Sequence, residues 1–348
     1  MRNLFDSSPS YFGAANSYYG FKSNFKAIFS PEKYTRIYVI KGGPGTGKST
    51  LMKKLGSSMV NKGIDLKKIY CSSDPDSLDG IILEHNSCKV AMVDGTAPHV
   101  VEAEYPGCVE YIVNLFDSLN FDSLNESRKD IFNLTKQKKK MYNEAYKALS
   151  ICGDIYRIIT HKNQNSKIYS EAESICKQIM EHEFFDGKHC ACDEDYFLSA
   201  FCKNGYVWLD IPCIEKEYIS LIGDGFTEGI VLNILAKKLM KENTAEIISR
   251  SPLTENNIDT IITGSCIISA DSVGSVVFDT TPIKSCFEED YSELYDLHNR
   301  FLSIAKKKFE MASEAHFALE NIYSSSVNFE YHDRIYTKLK TELCDLLL

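Results

Sequence analysis

The sequence predicts an α/β fold built from two tandem units, each with an α/β part followed by a helical part. An apolar, β-branched run at 36–40 leads directly into a glycine-rich loop at 42–49, the pattern of a buried strand followed by a loop. A second apolar run followed by a glycine-containing loop occurs at 217–229. Helical segments follow in both halves, and 136–149 shares seven of its fourteen residues with 306–319. Because similar strands and helices recur in the same order, we interpret the chain as a tandem duplication.

The length and composition indicate a globular protein of two domains. A chain of 348 residues is long enough for about two ordinary domains, which we place at 1–188 and 189–348. The formal net charge of −9 argues against broad contact with nucleic acid, which requires Lys and Arg to replace phosphate counterions. It also disfavours binding to an anionic membrane surface, and no window approaches the roughly 18 uncharged apolar residues of a spanning helix. Because the N-terminus has no signal-peptide pattern and the cysteines are scattered, we expect a cytoplasmic protein.

The glycine-rich loop has the features of a phosphate-binding site. Its sequence, GGPGTGKS, fits G-x-x-x-x-G-K-[ST] at every constrained position, and the helical pattern TLMKKLGSSMV follows it. Glycines let the backbone curl so that successive N–H groups point at phosphate oxygens, and the start of the helix adds its positive end. We expect Lys48 to contact the β and γ phosphates and Ser49 to supply a hydroxyl to Mg²⁺. The predicted nucleotide-binding residues are Gly42, Gly43, Pro44, Gly45, Thr46, Gly47, Lys48, Ser49 and Thr50.

A carboxylate for the metal is expected from a neighbouring strand. The apolar run KVAMVD ends at Asp94, which is the first candidate; the alternative is that Asp94 only opens a turn before Gly95. Asp74 ranks second, because it follows the strand-like run KIYCSSD and precedes what we interpret as a helix start that Asp74 caps. We therefore predict Ser49 and Asp94 as metal ligands, and Lys48 and Asp94 as groups that act on the phosphates.

These segments resemble the P-loop NTPase superfamily. GGPGTGKST, together with CSSDPDSLDG and VAMVDGTAPHV, is more narrowly similar to bacterial ATPase-like proteins with two P-loop domains in tandem. The resemblance implies two parallel-sheet domains flanked by helices and carrying helical extensions, with Mg²⁺ as cofactor and ATP bound in preference to GTP. The GTP-reading pattern N-K-x-D is missing, because NKGI at 61–64 has the wrong fourth residue and lies too close to the loop.

The second unit carries a degenerate loop. When Gly42 is aligned with Gly223, Gly229 replaces the lysine and Ile230 replaces the serine. Triphosphate binding there lacks its main charge partners, and each charge-assisted hydrogen bond is worth about 1.5–3 kcal/mol. We therefore predict that the second unit does not bind Mg·ATP. The same comparison aligns two acidic pairs, Asp79 with Asp259 and Asp94 with Asp279.

The helical segments each have one apolar seam at the spacing of an amphipathic helix, over 131–159 and 301–322. Each seam is interrupted at the corresponding position by a lysine, Lys138 or Lys308. One interpretation is that these helices pack on their own domain or on each other. The other is that they form an arm for a protein partner, with the lysine setting the register. The lysine-rich run at 136–140 is interpreted as a solvated helix face.

The function predicted from these features is a slow or partner-stimulated ATPase with one nucleotide site and a regulatory second domain. Many P-loop ATPases place a Glu directly after the metal-binding Asp to orient water, whereas Gly95 follows here. A kinase for a small metabolite is an alternative, because an acceptor hydroxyl then replaces the water. A further alternative is an interaction module in which ATP is a structural ligand. The sequence leaves the oligomeric state and the source of any arginine finger open.

Two further groups have a functional and an ordinary interpretation. His99 is a candidate phosphate sensor or acid–base group, and the alternative is a loop histidine with satisfied hydrogen bonds. His189, Cys190, Cys192 and Cys202 include one Cys-x-Cys but no second ligand pair of the kind a zinc site usually has. Ordinary buried cysteines are the favoured interpretation of this second group.

Overall fold

The computed structural model describes residues 8–98, 100–162, 165–182, 195–209, 216–254, 256–271 and 274–348. Over these residues the chain is an α/β protein with one larger mixed β-sheet in each half, two β-hairpins and several long helices. None of the described helices is long and apolar enough to cross a membrane.

The elements follow the predicted order of strands and helices. The N-terminal half contains β1 (Ser10–Phe12), β2 (Ala14–Ser17), β3 (Gly20–Ser23), α1 (Phe25–Ile28), β4 (Arg36–Lys41), α2 (Lys48–Val60), β5 (Asp65–Tyr70), β6 (Leu78–His85), β7 (Cys88–Asp94), β8 (Glu110–Asn114), α3 (Phe121–Glu126) and α4 (Arg128–Lys162). Helix α5 (Ser166–His182) follows α4 at the end of the N-terminal half, and the C-terminal half contains β9 (Ser199–Cys202), β10 (Gly205–Trp208), β11 (Glu217–Ile222), α6 (Thr227–Glu242), β12 (Ala245–Arg250), β13 (Ile258–Thr263), β14 (Cys266–Ser269), β15 (Val276–Asp279), α7 (Ser292–Ser324) and α8 (Phe329–Leu347). The strand before the glycine-rich loop, the helix after it and both long amphipathic helices are thus confirmed.

Both larger sheets are mixed rather than parallel. Their strand orders are β1-β5-β6-β7-β4-β8 and β12-β13-β14-β11-β15. Parallel neighbours flank β4 and β11 on both sides, whereas β6 and β13 run antiparallel to their neighbours. In the first sheet, β6 and β7 are joined through Asn86 and Ser87, which both have positive φ, and so short a turn can join only antiparallel strands. The expectation of parallel sheets is correct around β4 and β11 and for the pairing of β1 with β5, and it is wrong for the pairings made by β6 and β13.

Strand β4 is buried on both faces, which fixes the position of the loop that follows it. Tyr38 and Ile40 pack with helix α2 in one core cluster, and Ile37 and Val39 pack in a second cluster on the opposite face. This alternation follows from the period of two along a strand. The start of α2 therefore lies at the carboxyl edge of three parallel strands, where β4, β7 and β8 end together.

The register of the two sheets corrects one part of the sequence alignment. Strand β15 lies beside β11 as β8 lies beside β4: Asp279 pairs with Ile222, and Asn114 pairs with Lys41. Asp279 is therefore the counterpart of Asn114, not of Asp94. The counterpart of β7 is β14, whose last residue is Ser269. The alignment of Asp79 with Asp259 is confirmed, because Gly80 and Thr260 occupy equivalent positions in β6 and β13.

Helices α4 and α7 pack against each other along most of their length. Small and apolar side chains form their contact, including Ala145, Leu149, Ala305 and Phe309. This confirms the interpretation that the two amphipathic helices pack together. In the lysine-rich run, Lys136, Lys139 and Lys140 are exposed as expected, whereas Lys138 is half-buried.

The helix after each long helix packs into the other half of the chain. Helix α5 contributes Ile168, Ile175 and Ile179 to the core that surrounds β11 and α6. Helix α8 contributes Leu339 and Leu343 to the core that surrounds β4 and α2. The two halves thus exchange a helix, and the predicted boundary at residue 188 does not separate their cores. The residues at 183–194, where that boundary falls, lie outside the described part of the chain.

The duplication also includes the N-terminal hairpin, which the sequence analysis missed. Hairpins β2–β3 and β9–β10 have equal lengths and follow the same pattern, Tyr-Phe-x-x-Ala-x-x-x-x-Gly, at 11–20 and 196–205. Phe12 and Phe197 exchange two backbone hydrogen bonds, of 2.8 and 2.9 Å. This reciprocal pair of hydrogen bonds joins the two halves at their hairpins.

Candidate nucleotide-binding site

The loop between β4 and α2 curls because two of its glycines have left-handed backbone angles. Gly45 has φ +68° and Gly47 has φ +81°, a region that favours glycine. Gly47 caps α2, which begins at Lys48. The Thr46 hydroxyl donates to the Gly43 carbonyl at 2.8 Å and closes the curl. The predicted residues 42–50 therefore form one continuous turn at the start of a helix, the arrangement that binds anions.

The Lys48 ammonium lies against the loop and faces a carboxylate. Its Nζ is 3.0 Å from the Gly42 carbonyl oxygen, 2.8 Å from the Gly43 carbonyl oxygen and 3.5 Å from Asp94 Oδ2. The side chains of Lys48 and Asp94 are only 11% and 17% exposed. The structure thus brings together the two residues that the sequence predicted to act on the phosphates.

Asp94 contacts both the turn that follows it and the Lys48 ammonium. It is the last residue of β7, which lies next to β4. Its Oδ1 accepts hydrogen bonds from the Thr96 amide and hydroxyl, so it does hold the turn that follows. Its Oδ2 faces Lys48 and lies at the carboxyl edge of the sheet. Asp94 Oδ1 thus stabilises the turn, and Asp94 Oδ2 faces Lys48 beside the loop.

The predicted Mg²⁺ ligands fit this cation, which prefers one or two protein oxygens together with phosphate oxygens and water. The Ser49 hydroxyl accepts a hydrogen bond from the Leu78 amide at 2.9 Å, which holds it at the start of β6. Asp79 follows there, and the pairing of Gly80 with Val93 places Asp79 at the level of Asp94. No group of three or more His, Cys, Asp or Glu side chains suited to a metal occurs within the described residues. The described residues therefore do not support a metal bound by protein side chains alone, but Ser49 and Asp94 fit a metal that phosphate oxygens also bind.

Asp79 is a site residue that the sequence analysis did not select. The side chain is 8% exposed and lies on the strand between β5 and β7. In the sequence, Asp79 can be recognised only as an acidic residue near the start of an otherwise apolar strand. The pairing of β6 with β7 is what places Asp79 at the level of Asp94. Asp74, in contrast, does not cap a helix. The segment after it is a turn that leads into β6, and Asp74 Oδ1 is 3.0 Å from Lys203 Nζ.

The corner between α7 and α8 covers the glycines of the loop. A Cβ atom on Gly43 would lie 2.9 Å from the Tyr323 ring, and one on Gly45 would lie 2.9 Å from the Glu320 Cα. A Cβ atom on Gly47 would lie 3.3 Å from the His332 ring. Close packing therefore favours glycine at all three positions, and the positive φ angles of Gly45 and Gly47 favour it further.

The second loop shares a threonine contact with the first loop but contains its own anion. A Cβ atom added to Gly223 would collide with the Thr227 hydroxyl, just as one added to Gly42 would collide with the Thr46 hydroxyl. Gly225 has φ +86°. The buried Glu228 carboxylate accepts a hydrogen bond from the Gly225 amide at 3.0 Å. Burial raises the pKa of Glu228, and the backbone amides around it oppose that shift. A carboxylate thus lies among the amides of the second loop.

The remaining candidates cannot be placed in either site. His99 lies outside the described residues, and so do His189, Cys190 and Cys192. Cys202 is fully buried at the end of β9 with a free thiol. No protein-family model, no curated protein and no solved structure matches this chain.

Proposed function

We propose that this chain is a P-loop NTPase that binds Mg·ATP in the loop at 42–50 and hydrolyses it slowly or on stimulation by a partner. The observation that carries the proposal is the position of the Lys48 ammonium, enclosed by two loop carbonyls and 3.5 Å from the Asp94 carboxylate. The second half is proposed to be a regulatory domain without a nucleotide.

Charge and geometry support a triphosphate in the first loop. The backbone amides of the curl and the start of α2 present positive potential to an anion, and Lys48 adds a full charge. Ser49 and Asp94 would hold Mg²⁺, which neutralises charge on the phosphates when it is bound. ATP is proposed over GTP because the N-K-x-D pattern is missing from the sequence.

The packing around Gly95 supports slow hydrolysis. A Cβ atom at this position would collide with Val39 Cγ1 and lie 3.2 Å from Lys41 Cε. A glutamate that orients water directly after Asp94 is therefore sterically excluded. Fast hydrolysis would need such a group from elsewhere, for example from a protein partner.

Nucleotide turnover by the purified chain tests the proposal. Phosphate release from Mg·ATP alone, abolished by Lys48→Ala, supports the ATPase. ADP formation only in the presence of a metabolite mixture would assign a small-molecule kinase instead. Stably bound ATP without turnover would make ATP a structural ligand.

We expect one nucleotide per chain. Glu228 lies among the amides of the second loop, and Gly229 supplies no ammonium there. Equilibrium dialysis or calorimetry with Mg·ATP should give a stoichiometry close to one, and it should stay there in Glu228→Ala, which removes the carboxylate but adds no cation. Two sites per chain in the unsubstituted protein would refute the assignment of the second unit.

A further inference from the structure

A group of charged side chains lies between the first loop and the pair of long helices. Lys138 of α4 has its Nζ 3.3 Å from Nδ1 of His316 on α7. His316 Nε2 is in turn 3.6 Å from Glu320 Oε1, one turn further along α7. Glu320 is the residue whose backbone packs on Gly45. The group therefore extends from the seam of the helix pair to the curl of the loop.

Lys138 is a half-buried ammonium without a close carboxylate. Among the described residues its hydrogen-bond partner is His316, whose pKa is lowered to about 4 by burial and by nearby lysines. The imidazole is therefore neutral near pH 7 and accepts a hydrogen bond from the ammonium without adding charge. Burial and the positive charges of Lys139 and Lys48 lower the pKa of Lys138, and the Glu320 carboxylate partly opposes this shift. Placing two ammonium groups near each other is unfavourable unless an anion lies between them.

The duplicated lysine of the second unit has an ordinary partner. Lys308 occupies the position in α7 that Lys138 occupies in α4, and its Nζ is 2.7 Å from Glu144 Oε2. The counterpart of Glu144 is Glu314, which is exposed and forms no ion pair with Lys138. Within the described part of the chain, Lys138 therefore lacks the ion pair that its counterpart Lys308 forms.

Glu320 supplies the negative charge at the loop itself. Lys48, Lys203 and the Gly45 amide all favour its ionised form, although burial and Asp74 raise the pKa of Glu320 overall. In the second loop a carboxylate likewise lies beside a backbone amide, because the Glu228 carboxylate accepts a hydrogen bond from the Gly225 amide. The difference is that Glu228 lies in the first turn of the helix that directly follows its loop, whereas Glu320 lies on α7, far from the first loop in sequence.

We propose that Lys138 binds the terminal phosphate of a nucleoside triphosphate held by the first loop, and that Glu320 takes the place of this phosphate until the nucleotide arrives. The proposal rests on the proposed function, since it requires a nucleotide in the loop. It adds a phosphate-binding residue from the helix pair, outside the glycine-rich motif. It also means that triphosphate binding displaces Glu320 and separates the end of α7 from the loop.

Calorimetry of Mg·ATP and Mg·ADP binding to paired variants tests the role of Lys138. Lys138→Ala should weaken ATP binding roughly ten- to hundredfold, the loss expected for one charge-assisted hydrogen bond. ADP binding should change less than twofold, because ADP lacks the terminal phosphate. Lys138→Gln, which keeps a polar side chain in the seam, should show the same selective loss. The neighbouring exposed Lys139→Ala is the matched control and should leave both affinities unchanged.

The same measurement tests Glu320. Glu320→Gln removes the competing charge and should tighten ATP binding roughly tenfold, while the exposed Glu314→Gln on the same helix should not change it. Equal affinities in Lys138→Ala and Lys139→Ala, or unchanged binding in Glu320→Gln, would overturn this proposal. If Lys48→Ala still abolishes binding in that case, the proposed function stands and only the role of these two residues is wrong. If Lys48→Ala also binds ATP normally, the proposed function fails as well.

Discussion

Lys48→Ala is expected to weaken Mg·ATP binding at least a hundredfold and to remove ATP-dependent thermal stabilisation. The ammonium would contact two phosphates, and each charge-assisted hydrogen bond contributes about 1.5–3 kcal/mol. Two such contacts correspond to a factor of roughly a hundred or more in the dissociation constant. The amides of the curl and the start of α2 remain in the variant, so weak residual binding at millimolar ATP is compatible with this result.

The fold of Lys48→Ala should remain intact, because alanine is the best helix former and Lys48 is the first residue of α2. The measurement is the shift of the thermal midpoint at saturating Mg·ATP, together with calorimetric titration. Lys54→Ala is the matched control, since Lys54 lies on the same helix and is exposed. Equal ATP-dependent shifts in Lys48→Ala and Lys54→Ala would show that the nucleotide does not bind in this loop.

Leu343→Ala is expected to destabilise the N-terminal half, although Leu343 lies at the opposite end of the chain. Leu343 is fully buried in the core that surrounds β4 and α2. Truncation of a buried leucine to alanine costs about 2–5 kcal/mol, because it removes apolar contacts and leaves a cavity. Leu348→Ala is the control, since Leu348 is 65% exposed and surface substitutions usually change stability by about 0.5 kcal/mol or less.

Hydrogen exchange distinguishes the two halves of the molecule in this experiment. Exchange reports local and sub-global opening separately from global unfolding. In Leu343→Ala the amides of β4, β7 and α2 should lose protection, and those of β11 and α6 should lose much less. Loss of protection confined to β11 and α6 would contradict the exchange of α8 into the N-terminal half.

Local sequence was sufficient for the elements that consecutive residues define. The run at 36–40, the loop and the helix after it were predicted because strand period, glycine content and helical spacing are properties of adjacent residues. The same holds for α4 and α7, whose apolar seams repeat over many turns. Lys48 was predicted from the G-x-x-x-x-G-K-[ST] pattern and Asp94 from an apolar run that ends in an acidic residue, and the structure places both at the same edge of the sheet.

Strand pairing was the first feature that local sequence did not determine. The sequence pattern of an apolar run that ends in Asp does not tell which of the two parallel neighbours of β11 the run forms. The alignment therefore matched Asp279 with Asp94 of β7, although β15 corresponds to β8. The antiparallel direction of β6 depends on the turn at Asn86 and Ser87. The proximity of Asp79 to Asp94 depends on the register of β6 and β7.

The sequence by itself was sufficient to predict a glycine-rich curl with one lysine in the first half, a related loop without that lysine in the second, and two long helices with apolar seams. Only the tertiary structure decided that α5 and α8 exchange halves, that Glu320 and Tyr323 lie on the first loop, and that Lys138 contacts His316 rather than a carboxylate. The physical reason is the range of the interactions. Backbone angles and helical periodicity are set within a few residues, whereas burial and charge proximity depend on side chains that the folded chain brings together from distant parts of the sequence.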